Sequence, residues 1–147
     1  MKRCFFIGHR HAEEAIYPEL LVAVERHIEK YAVREFLVGK YGSFDSMAAR
    51  AVLQAKEKHP AVRLTLLTPY HPASKPVLLP QGFDDIYYPF EKPIPPRTAI
   101  IHANEKAISM SDYLIAYVYH PGKARDFLNY AQKNKMPGYI INLAGQK

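Results

Sequence analysis

Apolar residues fall into two alternating rhythms along this chain. Short runs dominated by apolar residues occur at Arg3–Ile7, Arg34–Val38, Val62–Thr68, Tyr113–Tyr119 and Gly138–Asn142. Runs of that length, bounded by glycine or proline, read as buried strands. Between them, apolar positions return every three or four residues. Ile16, Leu20, Val24 and Ile28 mark a helix over 16–31, with Leu21 and Tyr31 widening its stripe. Pro18 suits a first helical turn, where its missing N–H costs little. A second helix runs from about Phe44 to Lys58 with the small-residue face Met47, Ala48, Ala51, Val52 and Ala55. Met47 belongs to that core face rather than to chemistry. A third spans 98–110 and a fourth runs from Ala124 to near Lys135.

The 69–96 stretch breaks the rhythm. It holds eight of the twelve prolines and predicts no regular structure beyond a short extended piece near 85–88. Its aromatics (Tyr70, Phe83, Tyr87, Tyr88 and Phe90) argue for packing. A connection this long inside one domain suggests a lid over a site or an arm for dimerisation.

Strands alternating with helices imply parallel pairing and right-handed crossovers. The expected fold is α/β: a three-layer, Rossmann-like, doubly wound, mainly parallel sheet of about five strands with helices on both faces. All 147 residues are expected to form a single domain. Parallel topology places every strand-to-helix loop at one edge. Those loops are Gly8–Arg10, Gly39–Phe44, Pro69–His71 and His120–Lys123. The result is a basic, glycine-lined cleft whose default ligand bears a phosphate.

Within that cleft, the stretch Phe36–Arg50 organises the chain: a strand, a Gly39-x-x-Gly42 turn and a helix start. Ser43 is placed to cap the helix, and Asp45 falls in its first turn, where a carboxylate suits the helix dipole. The open helix end is a site for an anion, or the turn is merely tight. The spacing matches neither the dinucleotide fingerprint nor a P-loop. His9 and Arg10 either face a ligand or pair with Glu13 and Glu14.

Composition adds direction. The chain is 48% hydrophobic and 23% charged, an ordinary globular balance. Net charge is +6 with a pI near 9.4, which favours anionic partners. The basic residues are scattered, so a nucleic-acid partner is not required. The seven histidines make no His-x-x-x-His pair, so no metal is expected, and no cofactor. No stretch approaches the ~20 apolar residues of a membrane span, and no membrane partner is expected. The start of the chain lacks a secretory pattern, and the single Cys4 reads as a buried hydrophobe, so a cytoplasmic setting is expected.

An ordered set of segments resembles the SLOG superfamily, Rossmann-like proteins that include the Lonely Guy enzymes and the DNA-processing protein A family. The set is Cys4–Arg10, Phe36–Asp45, Pro69-Tyr70, Arg97, Asn104-Glu105, Met110–Val118 and Ile140–Asn142. Within the superfamily it is most similar to the small bacterial and phage branch typified by the YpsA and YspA proteins. The resemblance implies a pocket for a nucleotide or nucleotide derivative, ADP-ribose-like, at the strand C-terminal edge. Gly8, His9, Arg10, Gly39, Tyr41, Gly42, Ser43, Phe44, Arg97, Asn104, Gly122 and Lys123 are the expected ligand-binding residues. Arg97 would offer its guanidinium to phosphate, or else pair with Asp112 or Glu91. Asn104 would reach into the cleft, or else satisfy core backbone. The resemblance also implies self-association as a homodimer.

One departure bears on function. Lonely Guy enzymes carry a Pro-Gly-Gly-x-Gly-Thr-x-x-Glu run whose Glu assists N-glycosidic cleavage. The matching stretch, Pro121-Gly-Lys-Ala-Arg-Asp-Phe127, lacks the second glycine, the Gly-Thr and the Glu. Binding or sensing of a nucleotide derivative is therefore the leading expectation. Hydrolysis of a nucleoside monophosphate, with Asp45 as the catalytic carboxylate, is one alternative. Binding of single-stranded DNA is the other.

Overall fold

The computed structural model describes residues 1–76 and 78–145. Its strands and helices are β1 (Lys2–Gly8), α1 (Tyr17–Tyr31), β2 (Val33–Val38), α2 (Ser43–Lys56), β3 (Arg63–Leu67), β4 (Asp85–Tyr87), α3 (Pro96–Ser109), β5 (Tyr113–Tyr117), α4 (Lys123–Lys133) and β6 (Ile140–Asn142). A single 3-10 turn, Glu14–Ile16, leads into α1. All strand pairs are parallel, in the order β4-β3-β2-β1-β5-β6.

Both faces of the sheet are buried, which is why its strands read as unbroken apolar runs. Along β1, Cys4 and Phe6 point to one face and Phe5 and Ile7 to the other. On the first face, α1 and α2 close over Phe6, Phe36, Leu64 and Ile115. On the second, α3 and α4 close over Phe5, Leu37, Leu67 and Leu114. The helix faces that approach the sheet most closely are alanines: Ala48, Ala51 and Ala55 in α2, and Ala99, Ala103 and Ala107 in α3. Small residues let a helix axis come near the strands without large voids.

The sheet has six strands rather than about five. The extended piece in the proline-rich stretch is an edge strand. Its start is held by Asp84, whose carboxylate accepts the Leu64 N–H at 2.8 Å and pairs with Lys56 at 2.6 Å. Its end is held by the Thr68 N–H, which donates to the Tyr87 carbonyl at 2.9 Å.

Strand β5 stops at Tyr117, short of the expected Tyr119. Beyond it the backbone turns to side-chain partners. The Asn142 amide takes the Val118 N–H at 3.0 Å and donates to the Val118 carbonyl at 2.9 Å. Asn142 thus extends the sheet edge past the end of β6.

Candidate functional site

The chain runs β1 to β4 outward on one side of β1, then returns to lay β5 on the other side. The C-terminal ends of β1 and β5 therefore diverge, and their following loops leave a crevice. Open α/β sheets bind ligands at such a switch point. A cavity of about 440 Å³ lies there, within the range of small-molecule sites.

One wall is locked in place. After β1 the chain passes Gly8 and crosses the start of α2. A Cβ on Gly8 would run into the buried Phe44 ring, and one on Gly42 would overlap the Arg10 backbone, with the Arg10 carbonyl oxygen 2.6 Å away. Both glycines are therefore required by close approach. The Ser43 N–H donates to the Arg10 carbonyl at 2.8 Å, and Ser43 Oγ accepts the Ala12 N–H at 2.6 Å. Ser43 is the first residue of α2 and does not cap it; Gly42 holds the cap position. Its hydroxyl is engaged by the β1–α1 loop, which outcompetes a local cap.

His9 is buried and sits in a nest of rings. His120 stacks on it at 3.6 Å with planes 10° apart, and Tyr119 meets it edge-on at 4.5 Å. The Tyr119 N–H donates to His9 Nε2 at 3.0 Å. A neutral ring accepting there carries its proton on Nδ1. Burial, then the nearby His120 and Arg125, hold the His9 pKa below its ordinary value. His9 is thus a fixed, uncharged donor at the cavity. His120 Nδ1 lies 2.7 Å from the Pro121 carbonyl, which can only accept, so that nitrogen bears a proton too.

Asp45 is the sole carboxylate lining the cavity among the described residues. Its Oδ2 accepts the Tyr41 N–H at 2.9 Å. Burial pushes its pKa up to about 6, against the opposing pull of that hydrogen bond. The Tyr41 phenol is held well above its usual range by burial, with Tyr70 and Asp45 beside it. Asn104 is buried on α3; its Nδ2 donates to the Ile100 carbonyl at 2.8 Å, and the side chain also lines the cavity. Both alternatives for Asn104 are thus realised in part. At the other end, α4 starts at the cavity rim with Gly122 in the cap position and no side-chain cap, and Lys123 and Ala124 line the wall. The first N–H groups of α4 have no side-chain cap, and Lys123 beside them adds positive charge to the cavity lining.

The cavity brings together Gly8, His9, Arg10, Tyr41, Gly42, Asp45, Asn104, Gly122 and Lys123 of the expected residues. Four others stand elsewhere. Phe44 is fully buried behind Gly8, and Ser43 holds the β1–α1 loop. Gly39 lines an adjoining hollow on the far side of Asp45. Arg97 is exposed in the first turn of α3, outside the cavity lining and without an ion pair to Asp112 or Glu91. Arg10 does not pair with Glu13 or Glu14 either; Glu14 pairs with Arg50. No described residue of 69–96 lines the cavity. That stretch instead borders a neighbouring hollow of about 330 Å³, where Tyr70 and Lys75 face Tyr41 and Lys40. The cavity also takes in Tyr119, Ile100 and Phe127, which no motif in the sequence signals, and His120, which lies in one of the loops that parallel topology sends to this edge.

The fold and the switch-point cleft define a Rossmann-like α/β protein. Solved structures agree. DNA processing protein A from Helicobacter pylori, described for its unique single-stranded DNA binding mode, superposes with a TM-score of 0.66 at 16% identity. DNA processing protein A from Streptococcus pneumoniae superposes with 0.67 at 12% identity. The likeness covers 99% and 95% of this chain, which spans 66% and 50% of those two structures. At such identities the likeness establishes the fold. No protein-family model and no curated protein matches the chain.

Proposed function

We propose that this chain is a SLOG-type protein of the YpsA/YspA branch whose cleft binds a small phosphorylated nucleotide derivative, ADP-ribose-like, without cleaving it. The observation that supports this is the 440 Å³ switch-point cavity, whose lining combines a cation, aromatic rings and hydrogen-bonding side chains. Lys123 and the uncapped start of α4 suit a phosphate. The His9–His120–Tyr119 rings and Phe127 suit a planar base. Asn104 and Asp45 suit ribose hydroxyls. Binding without cleavage is favoured because Asp45 has no second carboxylate beside it. Asp126, the other carboxylate near the Lonely Guy-like position, borders a different hollow. We place the protein in the cytoplasm as a homodimer, with the 69–96 stretch closing over the cleft from its neighbouring hollow.

The test is a thermal-shift series with adenosine, adenosine monophosphate and ADP-ribose. The phosphorylated compounds raise the melting temperature, adenosine does so less, and Lys123→Ala removes the difference. No stabilisation by any of them overturns the reading. Release of free adenine from the monophosphate, lost in Asp45→Asn, would establish the hydrolase instead. A second reading follows from the Helicobacter pylori neighbour, a single-stranded DNA binder. In that reading the cleft holds one nucleotide of a longer strand, and Lys123→Ala weakens an oligonucleotide.

A further inference from the structure

Beside the cleft, the ends of β2 and β3 and the loop that follows β3 enclose the hollow of about 330 Å³. Tyr41 lines both spaces and is the one residue they share among the described residues. The hollow is partly apolar, with the buried Leu66 and Leu67 of β3 in its lining. Lys40 and Lys75 also line it, and neither is in an ion pair among the described residues. No carboxylate lines it among those residues; Asp45 lines the cleft and not this hollow.

The loop wall is tied internally. Thr68 is buried, and its Oγ1 donates to the Tyr70 carbonyl at 3.2 Å while accepting the Tyr70 N–H at 3.4 Å. The His71 carbonyl accepts the Ser74 and Lys75 N–H groups, each at 2.9 Å, and the His71 ring meets Tyr88 edge-on at 5.2 Å. These contacts place the backbone that carries Tyr70 and Lys75. The Lys75 ammonium rests over the Tyr70 ring, 4.7 Å from its centre. An aromatic ring and a cation are thus held side by side, next to a second cation and an apolar surface. A hollow of this size far exceeds a lone phosphate, which would leave Leu66 and Leu67 uncovered.

We propose that this hollow is a second nucleoside subsite, so that the cleft's ligand is a dinucleoside polyphosphate: two nucleosides joined end to end by a phosphate chain. The proposal rests on the cleft taking a phosphorylated nucleoside. Lys40 and Lys75 meet the phosphate chain, the Tyr70 ring stacks on the second base, and Leu66 and Leu67 take its apolar contact. Tyr41 stands where the two halves join. ATP and ADP-ribose carry one base each and leave this subsite without its stacking partner.

The test is isothermal titration of the whole chain with ADP-ribose, ATP and diadenosine tetraphosphate. ATP matches the charge of the last with a single nucleoside, so any gain over ATP belongs to the second one. Diadenosine tetraphosphate binds at least tenfold more tightly than ATP. Tyr70→Ala weakens it about tenfold and leaves ATP unchanged, while Tyr70→Phe retains the advantage. A Lys40→Ala/Lys75→Ala double variant weakens diadenosine tetraphosphate more than ATP, and Lys123→Ala weakens both. Equal affinities for ATP and diadenosine tetraphosphate, or an advantage that survives Tyr70→Ala, overturns the second subsite and leaves the cleft reading standing. No binding by any of the three overturns both.

Discussion

On one side of the cavity, α2 and the β1–α1 loop are joined by backbone and hydroxyl hydrogen bonds through Ser43, and by two glycines that admit no Cβ. On the other side, α3 and α4 meet the sheet through alanines and half-buried Phe127, and α3 starts at Pro96, with Pro95 in the cap position and no side-chain cap. A hydroxyl pair, Ser109 and Tyr130 at 3.5 Å, is the polar tie between those two helices among the described residues. The contrast assigns different work to the walls. The first holds His9, Tyr41 and Asp45 through hydrogen bonds internal to the protein, and groups preorganised in this way would lose little entropy on binding. The second carries Lys123 and Asn104 on helices joined, among the described residues, by that one hydroxyl contact.

The contrast breaks most severely at Gly42. A methyl in Gly42→Ala must displace the Arg10 backbone, so this single change is expected to cost about 3 kcal/mol of stability and to abolish ligand binding. Chemical denaturation measures the first and calorimetry the second. A variant as stable as the native chain would show that the first wall is not locked.

Asp45 sharpens the comparison in the opposite sense. Its pKa of about 6 in the folded chain exceeds the ~3.9 of an unfolded aspartate. The folded state therefore binds the extra proton between those values, and this group's contribution to stability falls as pH rises through that window. Asp45→Asn removes the buried charge and can still accept the Tyr41 N–H. It should be more stable than the native chain by about 1–2 kcal/mol at pH 7.5, with the difference vanishing below about pH 4. His9 and His27, both held below their ordinary range chiefly by burial, slope the other way. The informative quantity is accordingly the difference between variant and native curves. Destabilisation by Asp45→Asn at pH 7.5 would show that the carboxylate is a structural anchor. Stabilisation with loss of ligand binding would mark it as a group kept for function.

Ser43→Ala is the mildest of the three. It removes the acceptor for the Ala12 N–H and should cost about 1 kcal/mol by denaturation, with ligand affinity lowered a few-fold because the loop loosens. No change in either would mean that Gly42 and Gly8 alone hold the wall.

Much of this architecture could be read from one chain because its strands are buried on both faces and its helices carry regular stripes. Cys4–Ile7, Phe36–Val38 and Tyr113–Tyr117 announce themselves, and parallel pairing then sends their loops to one edge. Most cavity residues follow from that step alone. What was not legible depends on contacts between distant segments. The Asp85–Tyr87 strand is three residues long, and its pairing rests on Asp84 reaching Leu64 and Lys56. Ser43 carries the sequence look of a cap, yet a loop thirty residues away claims its hydroxyl. The His9–His120 stack joins residues on β1 and β5 loops, and no local pattern signals it. Arg97 entered through resemblance rather than topology, and the run of prolines before α3 leaves it facing outward.

A cleft that takes a phosphate-bearing nucleotide must discriminate by the phosphate. Isothermal titration of the whole chain with ADP-ribose and with adenosine tests it most directly. The expected result is one site per chain, tighter for ADP-ribose than for adenosine by tenfold or more, with that advantage erased in Lys123→Ala. Equal affinities, or an advantage that survives Lys123→Ala, would contradict it.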